Sequence, residues 1–253
     1  MTGWQFAAFL ACVALSTCAQ SITGFAMALI LLGLASLFEL APLPDVANVA
    51  TVLSLASAAI ALRGTRGSLD WNIWRPTVSG SVFGYAAGVA LMAWLNANVV
   101  MVLRLLLGLV VIACAAVVLL RAAPLARRSP AGSFRGFGFV SGVLGGLFSA
   151  SGPPLVYQFY RQPLSLDAVR DTLVAALATG SLIRLAMVVP AGQFTLHSLL
   201  LCAVSVPIAM GLTWWLRRHP PQWPRETVLR IVCALLVITG VGLIGPAVNA
   251  MLH

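Results

Sequence analysis

The sequence carries one pattern twice, about half a chain apart, and this repeat limits the folds open to it. In each half a Gly-rich, Pro-punctuated apolar segment precedes three long apolar spans. An offset of 122 residues places Asp45 on Asp167 and Gly24 on Gly146. Internal repeats of this kind are common in membrane transporters. We therefore expect two related membrane repeats, residues 1–121 and 134–253, joined by a cytoplasmic linker at 122–133.

The composition places the chain in a bilayer. Hydrophobic residues make up 60% of it and charged residues only 8%, whereas an ordinary soluble domain has about 25% charged residues. Crossing a hydrocarbon core takes roughly 20 apolar residues. Runs of about that length occupy residues 45–62, 76–95, 99–120, 167–189, 195–216 and 226–248. Because two further apolar blocks, 3–38 and 134–160, are interrupted, we expect an all-α polytopic membrane protein with two broken segments.

The positive charge marks membrane topology and does not indicate a nucleic-acid partner. All fifteen basic residues are arginine, and most flank apolar spans. By the positive-inside rule, such clusters lie in cytoplasmic loops. The clusters are Arg63, Arg66 and Arg75; Arg121, Arg127, Arg128 and Arg135; Arg161 and Arg170; and Arg217, Arg218 and Arg225. This assignment makes 45–62 run inward and 167–189 run outward, so the repeats are inverted.

Inversion predicts how the two interrupted blocks are arranged. Residues 134–160 would enter from the cytoplasmic side and return as a helical hairpin, and residues 3–38 would do the same from outside. If 134–160 crossed once instead, the cluster around Arg217 would lie outside, against the positive-inside rule. We therefore predict that each repeat opens with a broken or re-entrant hairpin.

No cofactor or metal site is expected. The cysteines lie inside apolar blocks without a CxxC pair, which suits small buried side chains: Cys12, Cys18, Cys114, Cys202 and Cys233. The chain also begins without the basic n-region of a cleaved signal peptide, so its start is expected to be retained.

The turns of the two hairpins are the predicted substrate site. Residues 16–25 (STCAQSITGF) and 149–154 (SASGPP) place polar groups and helix breakers inside apolar blocks. Unpaired backbone groups at membrane depth cost several kcal/mol unless they line a polar cavity or are buried in protein, and the start of a half-helix favours an anion. The alternative is that the glycines only allow close helix packing. The candidate substrate-binding residues are Gln20, Thr23, Gly24, Asn48, Gly145, Gly146, Ser149, Ser151, Gly152, Pro153 and Arg184.

Ionisable residues within the spans are functional candidates by default. Arg104 and Arg184 are predicted near the outer face and Arg230 near the inner face, where snorkelling of the long side chain would explain each of them. Asp171 is the candidate coupling residue. It would either form an ion pair with Arg170 or carry a proton.

The residues QSITGFAMALI, GGLFSASGPPLVYQFYRQPLS and LDAVRDTL resemble the TauE/SafE sulfite exporter family. The resemblance implies a multi-pass inner-membrane protein of about eight spans in two repeats, which moves sulfite, sulfonates or related small anions. The expected mechanism is alternating access around a site where the hairpin turns meet. The expected partners are a small anionic substrate and the bilayer. Gly80, Gly84 and Gly88 would pack within the chain or against a second subunit in a homo-oligomer.

Two other functions are open at this point. Residues 149–152 (SASG) resemble the GxSG-like serine of intramembrane rhomboid proteases, which would pair Ser151 with His197 as its base. His197 is predicted near the outer face, however, and Ser151 belongs to a hairpin that enters from inside. A non-transporting membrane scaffold is the other alternative, although the chain has no soluble interaction domain. We expect a transporter and not an enzyme.

Overall fold

A computed structural model of the protein describes residues 3–23, 25–62, 69–98, 100–119, 125–219 and 233–244. These residues form helices and no strands. The helices are α1 (Gly3–Thr23), α2 (Met27–Leu37), α3 (Leu43–Leu62), α4 (Trp71–Asn98), α5 (Val100–Leu119), α6 (Ala131–Phe148), α7 (Gly152–Tyr160), α8 (Leu166–Val188), α9 (Leu196–Arg218) and α10 (Cys233–Ile244). In the described ranges, α1, α3, α4, α8 and α9 are long and apolar enough to cross a membrane. The predicted all-α polytopic architecture is confirmed.

The break between α6 and α7 follows from its residues. Ser149 ends α6 in the left-handed conformation, with φ of 56°, and its N–H donates to the Gly145 carbonyl at 2.8 Å. Helix α7 then begins at Gly152 with prolines in its first turn, where a missing backbone donor is tolerated. Ser151 holds the N-cap position but makes no side-chain capping hydrogen bond. The predicted helix start is confirmed.

Helices α6 and α7 form the predicted hairpin. Before α6 and after α7, the chain is joined by hydrogen bonds: Leu125 N donates to Arg161 O at 2.8 Å, and the Gln162 amide donates to Ser129 Oγ at 3.1 Å. The Phe134 and Phe159 rings also pack edge to face. Both ends of the hairpin therefore lie at the same end of the helix bundle.

Equivalent helices of the two repeats run in opposite directions. Arg184, near the end of α8, contacts Ala47 and Asn48 near the start of α3, so these helices are antiparallel. By contrast, α3 starts beside the start of α9, where the Asn48 amide meets Ser198 Oγ at 3.3 Å. Likewise, α4 starts beside the start of α8, where Asp70 N donates to Thr172 Oγ1 at 3.0 Å. This is the arrangement that an inverted repeat requires.

The helix bundle has two ends, the Asp45 end and the Arg170 end. The Asp45 end is where α3 and α9 begin, and the Arg170 end is where α4, α6 and α8 begin. At the Asp45 end, Arg104 pairs with Glu39 at 2.8 Å, and its side chain is 35% exposed. Its position agrees with the predicted snorkelling. Arg230 lies outside the described residues.

A row of glycines brings α4 and α6 into direct backbone contact. A Cβ at Gly84 would overlap the Phe139 carbonyl oxygen and lie 2.9 Å from Gly142 Cα. A Cβ at Gly142 would overlap Ser81 O and lie 3.0 Å from Gly84 Cα. Gly80 and Gly88 meet α6 in the same way, at Arg135 O and Val143 O. The packing of these glycines within the chain is confirmed.

Candidate functional site

The two helix breaks touch in the middle of the bundle. A Cβ at Gly152, in the second break, would lie 2.5 Å from the Cβ of Phe25, in the first. Real Cβ atoms do not approach so closely, so position 152 accepts only glycine without a shift of one break. A cavity of about 340 Å³ lies beside this contact, within the usual size range of small-molecule sites.

Hydroxyl groups dominate the polar part of the cavity wall. None of the described residues that line it is acidic, and its one charged residue is Arg170, which is exposed at the Arg170 end. The wall is contributed by both breaks and by α3, α8 and α9. The lining polar residues are Gln20, Ser21, Ser54, Ser57, Ser149, Ser151, Tyr160, Arg170, Ser181 and Thr213.

Two of these hydroxyls are buried without a hydrogen-bond partner among the described residues. They belong to Ser57, on α3, and Thr213, on α9. A buried hydroxyl with no partner costs about 1–3 kcal/mol. Since both residues line the cavity, rotation of either side chain would turn its hydroxyl toward a polar molecule bound there, which would supply the missing partner.

Ser151 is held from two sides. Its carbonyl oxygen accepts a hydrogen bond from Ser141 Oγ at 2.6 Å. Its side chain is hydrogen-bonded to that of Tyr85 on α4, which is fully buried. The Tyr85 ring fills the space beside Gly145 and Gly180. These contacts position the Ser151 hydroxyl at the cavity wall.

Arg184 lies behind the wall, toward the Asp45 end. Its side chain is 2% exposed. Nη1 donates to Thr51 Oγ1 at 2.8 Å and to Asn48 Oδ1 at 2.9 Å, and Nε donates to Gly146 O at 3.3 Å. Ala47 O lies 3.4 Å from Nη1. All four acceptors recorded among the described residues are uncharged, so no carboxylate in this set offsets the guanidinium charge.

A hydrogen-bonded cluster closes the bundle beyond Arg184. Asp45 Oδ1 accepts from Thr195 Oγ1 and from Ser198 Oγ, both at 2.6 Å. Its other oxygen pairs with His197 Nδ1 at 3.0 Å. The Asn48 side chain joins this cluster to Arg184, because its Oδ1 accepts from Arg184 and its Nδ2 donates to Ser198 Oγ at 3.3 Å. Asn48 Nδ2 also donates to Gln193 O at 2.9 Å.

Comparison with known proteins identifies the family. Residues 8–243 match the family described as "Sulfite exporter TauE/SafE". This chain belongs to the TauE/SafE family. It is also similar to a protein of Cupriavidus necator named "Probable sulfite/organosulfonate exporter TauE", with 33% identity over 231 residues, which is 91% of this chain and 90% of the relative. None of the solved structures matches significantly.

Family membership makes this chain a membrane transporter and not an enzyme. The alternative protease assignment is therefore wrong, and the geometry gives the physical reason. His197 Nδ1 is engaged by Asp45 in the first turn of α9. Ser151 lies at the cavity wall, bonded to Tyr85. No recorded contact between described residues brings the imidazole to the serine.

The predicted site residues of this TauE/SafE protein fall into three groups. Gln20, Ser149, Ser151 and Gly152 line the cavity. Asn48 and Arg184 bind each other behind it. The remaining residues that the structure describes lie elsewhere: Gly145 and Gly146 pack against Tyr85, and Pro153 is buried in the first turn of α7. The Thr23 side chain and Gly24 lie outside the described part of the chain. That any of these residues binds substrate stays a prediction.

The two charged candidates, Arg184 and Asp171, lie in different environments. The snorkelling alternative is wrong for Arg184, because this side chain is buried among α3, α6 and α8. Asp171 is half-buried and is not among the lining residues, whereas its neighbour Arg170 is. A coupling role for Asp171 stays a prediction.

Sequence reasoning missed several cavity residues of this TauE/SafE protein. Ser54 and Ser57 are spaced three apart on α3 and therefore share one helix face. That spacing was a usable signal. Ser181, Thr213 and Tyr85 are isolated polar residues in apolar spans, and only the packing of α4, α8 and α9 shows where they point.

Proposed function

We propose that the protein is a secondary transporter that exports small sulfur oxyanions, sulfite or organosulfonates, across the bacterial inner membrane by alternating access. Membership of the sulfite exporter family and the name of the Cupriavidus necator relative support this substrate class. The substrate would occupy the cavity between the two helix breaks.

The observation that carries the proposal is the pair of unpartnered hydroxyls at the cavity wall. Ser57 and Thr213 are 7% and 5% exposed, and neither hydroxyl has a recorded partner. Sulfite and sulfonate groups carry several acceptor oxygens, so they match a wall of hydroxyl donors. A cationic substrate is disfavoured, because no described lining residue is acidic.

The charge pattern supports an anion in the same way. Arg170 lies at the cavity mouth and Arg184 behind the far wall. Charges in a water-poor interior are screened far less than charges at the surface. Two cations at opposite ends of a cavity without a carboxylate would give it a positive potential.

The arginine-rich loops orient the protein. By the positive-inside rule, the Arg170 end faces the cytoplasm. The cavity reaches Arg170, whereas hydrogen bonds of Asp45, Asn48 and Arg184 lie between it and the other end. We infer that this conformation is the cytoplasm-facing one, in which an exporter would load its substrate. Export would follow when the Asp45 end opens.

The test combines binding with exchange. Purified protein is melted with sulfite, thiosulfate, sulfoacetate, taurine, sulfate and acetate, because a ligand of the folded state raises its stability. The same protein in proteoliposomes is then tested for counterflow of radiolabelled sulfite. We expect a selective shift and saturable exchange with a sulfur oxyanion. If no anion of the panel raises the melting temperature and sulfite shows no exchange, the proposed substrate class is rejected.

Hydroxyl variants localise the site. Ser57→Ala and Thr213→Val should each weaken anion binding by about tenfold or more, the value of one hydrogen bond to a charged group. The unliganded protein should melt no lower, since an unpaired buried hydroxyl is removed. Ser205→Ala is the matched control, because Ser205 Oγ is also buried without a recorded partner but does not line the cavity. Equal binding in all three variants would remove the cavity as the site.

A further inference from the structure

Arg184 is deeply buried. A cation whose only role was to make the cavity positive would not need such burial. A buried charge is costly unless an opposite charge or good hydrogen bonds offset it. The described acceptors of Arg184 are two backbone carbonyls, one amide and one hydroxyl. Neutral acceptors stabilise a guanidinium less than an anion does, because charge-assisted bonds between two ions are stronger. This environment is suited to a transient anionic partner.

One pair of hydroxyls separates Arg184 from the cavity. Thr51 Oγ1 donates to Ala47 O at 2.7 Å and accepts from Arg184 Nη1. Because the single Thr51 proton is used in this way, the 2.8 Å contact with Ser149 has Ser149 as its donor. Ser149 also lines the cavity. The order from cavity to cation is therefore Ser149, Thr51 and Arg184.

Ser149 holds this place in an unfavourable backbone conformation. Its φ of 56° lies in the left-handed region, which glycine adopts freely and other residues do not. Helices commonly end with glycine at such a position. Strained residues of this kind persist at functional sites, where the surrounding structure over-determines them. Glycine would adopt this conformation without strain but would lack the hydroxyl that Ser149 supplies.

We propose that Arg184 is a second anion subsite on the transport path, which an oxyanion enters from the cavity by displacing the Ser149 hydroxyl from Thr51. The proposal rests on the proposed transport function and deepens it. The anion would accept hydrogen bonds from Ser149 and from the guanidinium, while Thr51 keeps its bond to Ala47. Only donors and acceptors are exchanged in this step.

The surroundings of Arg184 fit a subsite that faces the exit. On its other side, Asn48 Oδ1 accepts from Arg184, and the Asn48 amide binds Gln193 O and Ser198 Oγ. Ser198 in turn donates to Asp45. An anion that replaces Asn48 Oδ1 on the guanidinium would release the Asn48 side chain from Arg184, so that only its Nδ2 bonds to Gln193 and Ser198 would hold it in place. Binding at Arg184 would thereby be linked to opening of the Asp45 end.

The test compares sulfite binding with sulfite exchange in five proteins: wild type, Ser149→Gly, Thr51→Val, Arg184→Lys and Arg184→Gln. Binding is measured on purified protein by thermal shift, and exchange is measured by counterflow in proteoliposomes. Ser149→Gly should exchange sulfite about tenfold more slowly or worse, because the anion loses one charge-assisted hydrogen bond. Thr51→Val should also slow exchange, because the guanidinium loses an acceptor that positions it. The sulfite Kd of Thr51→Val should change by less than about threefold, because Thr51 does not line the cavity. Arg184→Lys should retain more exchange than Arg184→Gln.

Control variants and melting temperatures show whether Ser149, Thr51 and Arg184 form an anion subsite or only stabilise the fold. Thr179→Val removes a hydroxyl that bonds only Ala175 O in the recorded contacts, and Arg104→Gln removes a half-exposed cation; both should exchange normally. Ser149→Gly should melt at or above the wild-type temperature, since glycine relieves the strain. Should the Arg184 variants fail to fold, Thr51→Val decides the question, because Thr51 bonds Arg184 and does not line the cavity.

The outcomes separate the two proposals. Wild-type exchange rates in Ser149→Gly and Thr51→Val, or in Arg184→Gln, would overturn the second subsite while leaving the cavity as the transport site. A wild-type protein that neither binds nor exchanges sulfur oxyanions would instead reject the proposed function, and the subsite with it.

Discussion

Phe25 and Gly152 join the two helix breaks, with the Phe25 Cβ 2.5 Å from the position that a Cβ would take at residue 152. One residue belongs to the first repeat and the other to the second. The contact lies beside the cavity, whose wall includes both residues. The width of the cavity therefore depends on how closely the two breaks approach each other.

Replacing Gly152 by alanine should push the breaks apart. Overpacking of this kind costs about 1–3 kcal/mol, so we expect a lower melting temperature and slower sulfite exchange in protein that still inserts. Gly211→Ala is the control, because a Cβ there meets nothing within 4 Å. Normal exchange and melting in Gly152→Ala would show that this contact does not set the cavity width.

Gly84→Ala tests the interface between α4 and α6. The added methyl group would overlap the Phe139 carbonyl oxygen, a backbone atom that cannot rotate away. We expect destabilisation of about 1–3 kcal/mol or more, measured as a fall in the thermal unfolding midpoint in detergent. On α6, Gly136 has open space at its Cβ position, and Gly136→Ala should melt like wild type. A similar midpoint for both variants would contradict close packing at Gly84.

Asp45→Leu should favour opening of the Asp45 end. The change leaves the Ser198 hydroxyl without its carboxylate acceptor and leaves Thr195 with only its 3.2 Å bond to Ser198. An unpaired buried donor costs about 1–3 kcal/mol in the closed state. A cysteine introduced at Ala47, which is buried, reports opening through its rate of reaction with a maleimide. We expect labelling to accelerate about tenfold or more, the effect of 1.4 kcal/mol.

Asp167→Leu provides the matched control for that measurement. Asp167 is the counterpart of Asp45 in the second repeat and is exposed in the first turn of α8. Labelling at position 47 should be unaffected by its removal. Equal labelling rates in the Asp45 and Asp167 variants would show that the Asp45 cluster does not hold this end closed.

Tyr85→Phe tests whether Tyr85 positions Ser151 for the substrate. Phenylalanine keeps the ring that fills the space beside Gly145, while the hydrogen bond to Ser151 is lost. We expect sulfite Kd to rise by up to about tenfold, as one neutral hydrogen bond of 0.5–1.5 kcal/mol allows. Tyr157→Phe is the control, since Tyr157 bonds Arg161 and does not line the cavity. Unchanged binding in Tyr85→Phe would assign Tyr85 to packing alone.

The candidate site was only partly predictable. Residues 149–154 predict a break because proline and glycine act locally on the backbone, and the spacing of Ser54 and Ser57 places them on one helix face. Arg184 shows the limit of this reasoning. Its distance along the chain from Pro190 suggests a snorkelling side chain, yet it is buried against Asn48 and Thr51.

The helices of this protein and their directions follow from local properties of its sequence. Hydropathy adds up along each span and arginines flank the spans, so helices α3, α4, α8 and α9, the α6–α7 hairpin and the inverted repeat were predictable. Which residues meet depends on tertiary packing. Contacts such as Thr51 with Ser149 and Phe25 with Gly152 join residues about 100 positions apart or more. They depend on how helices from both repeats pack, and no local pattern encodes that packing.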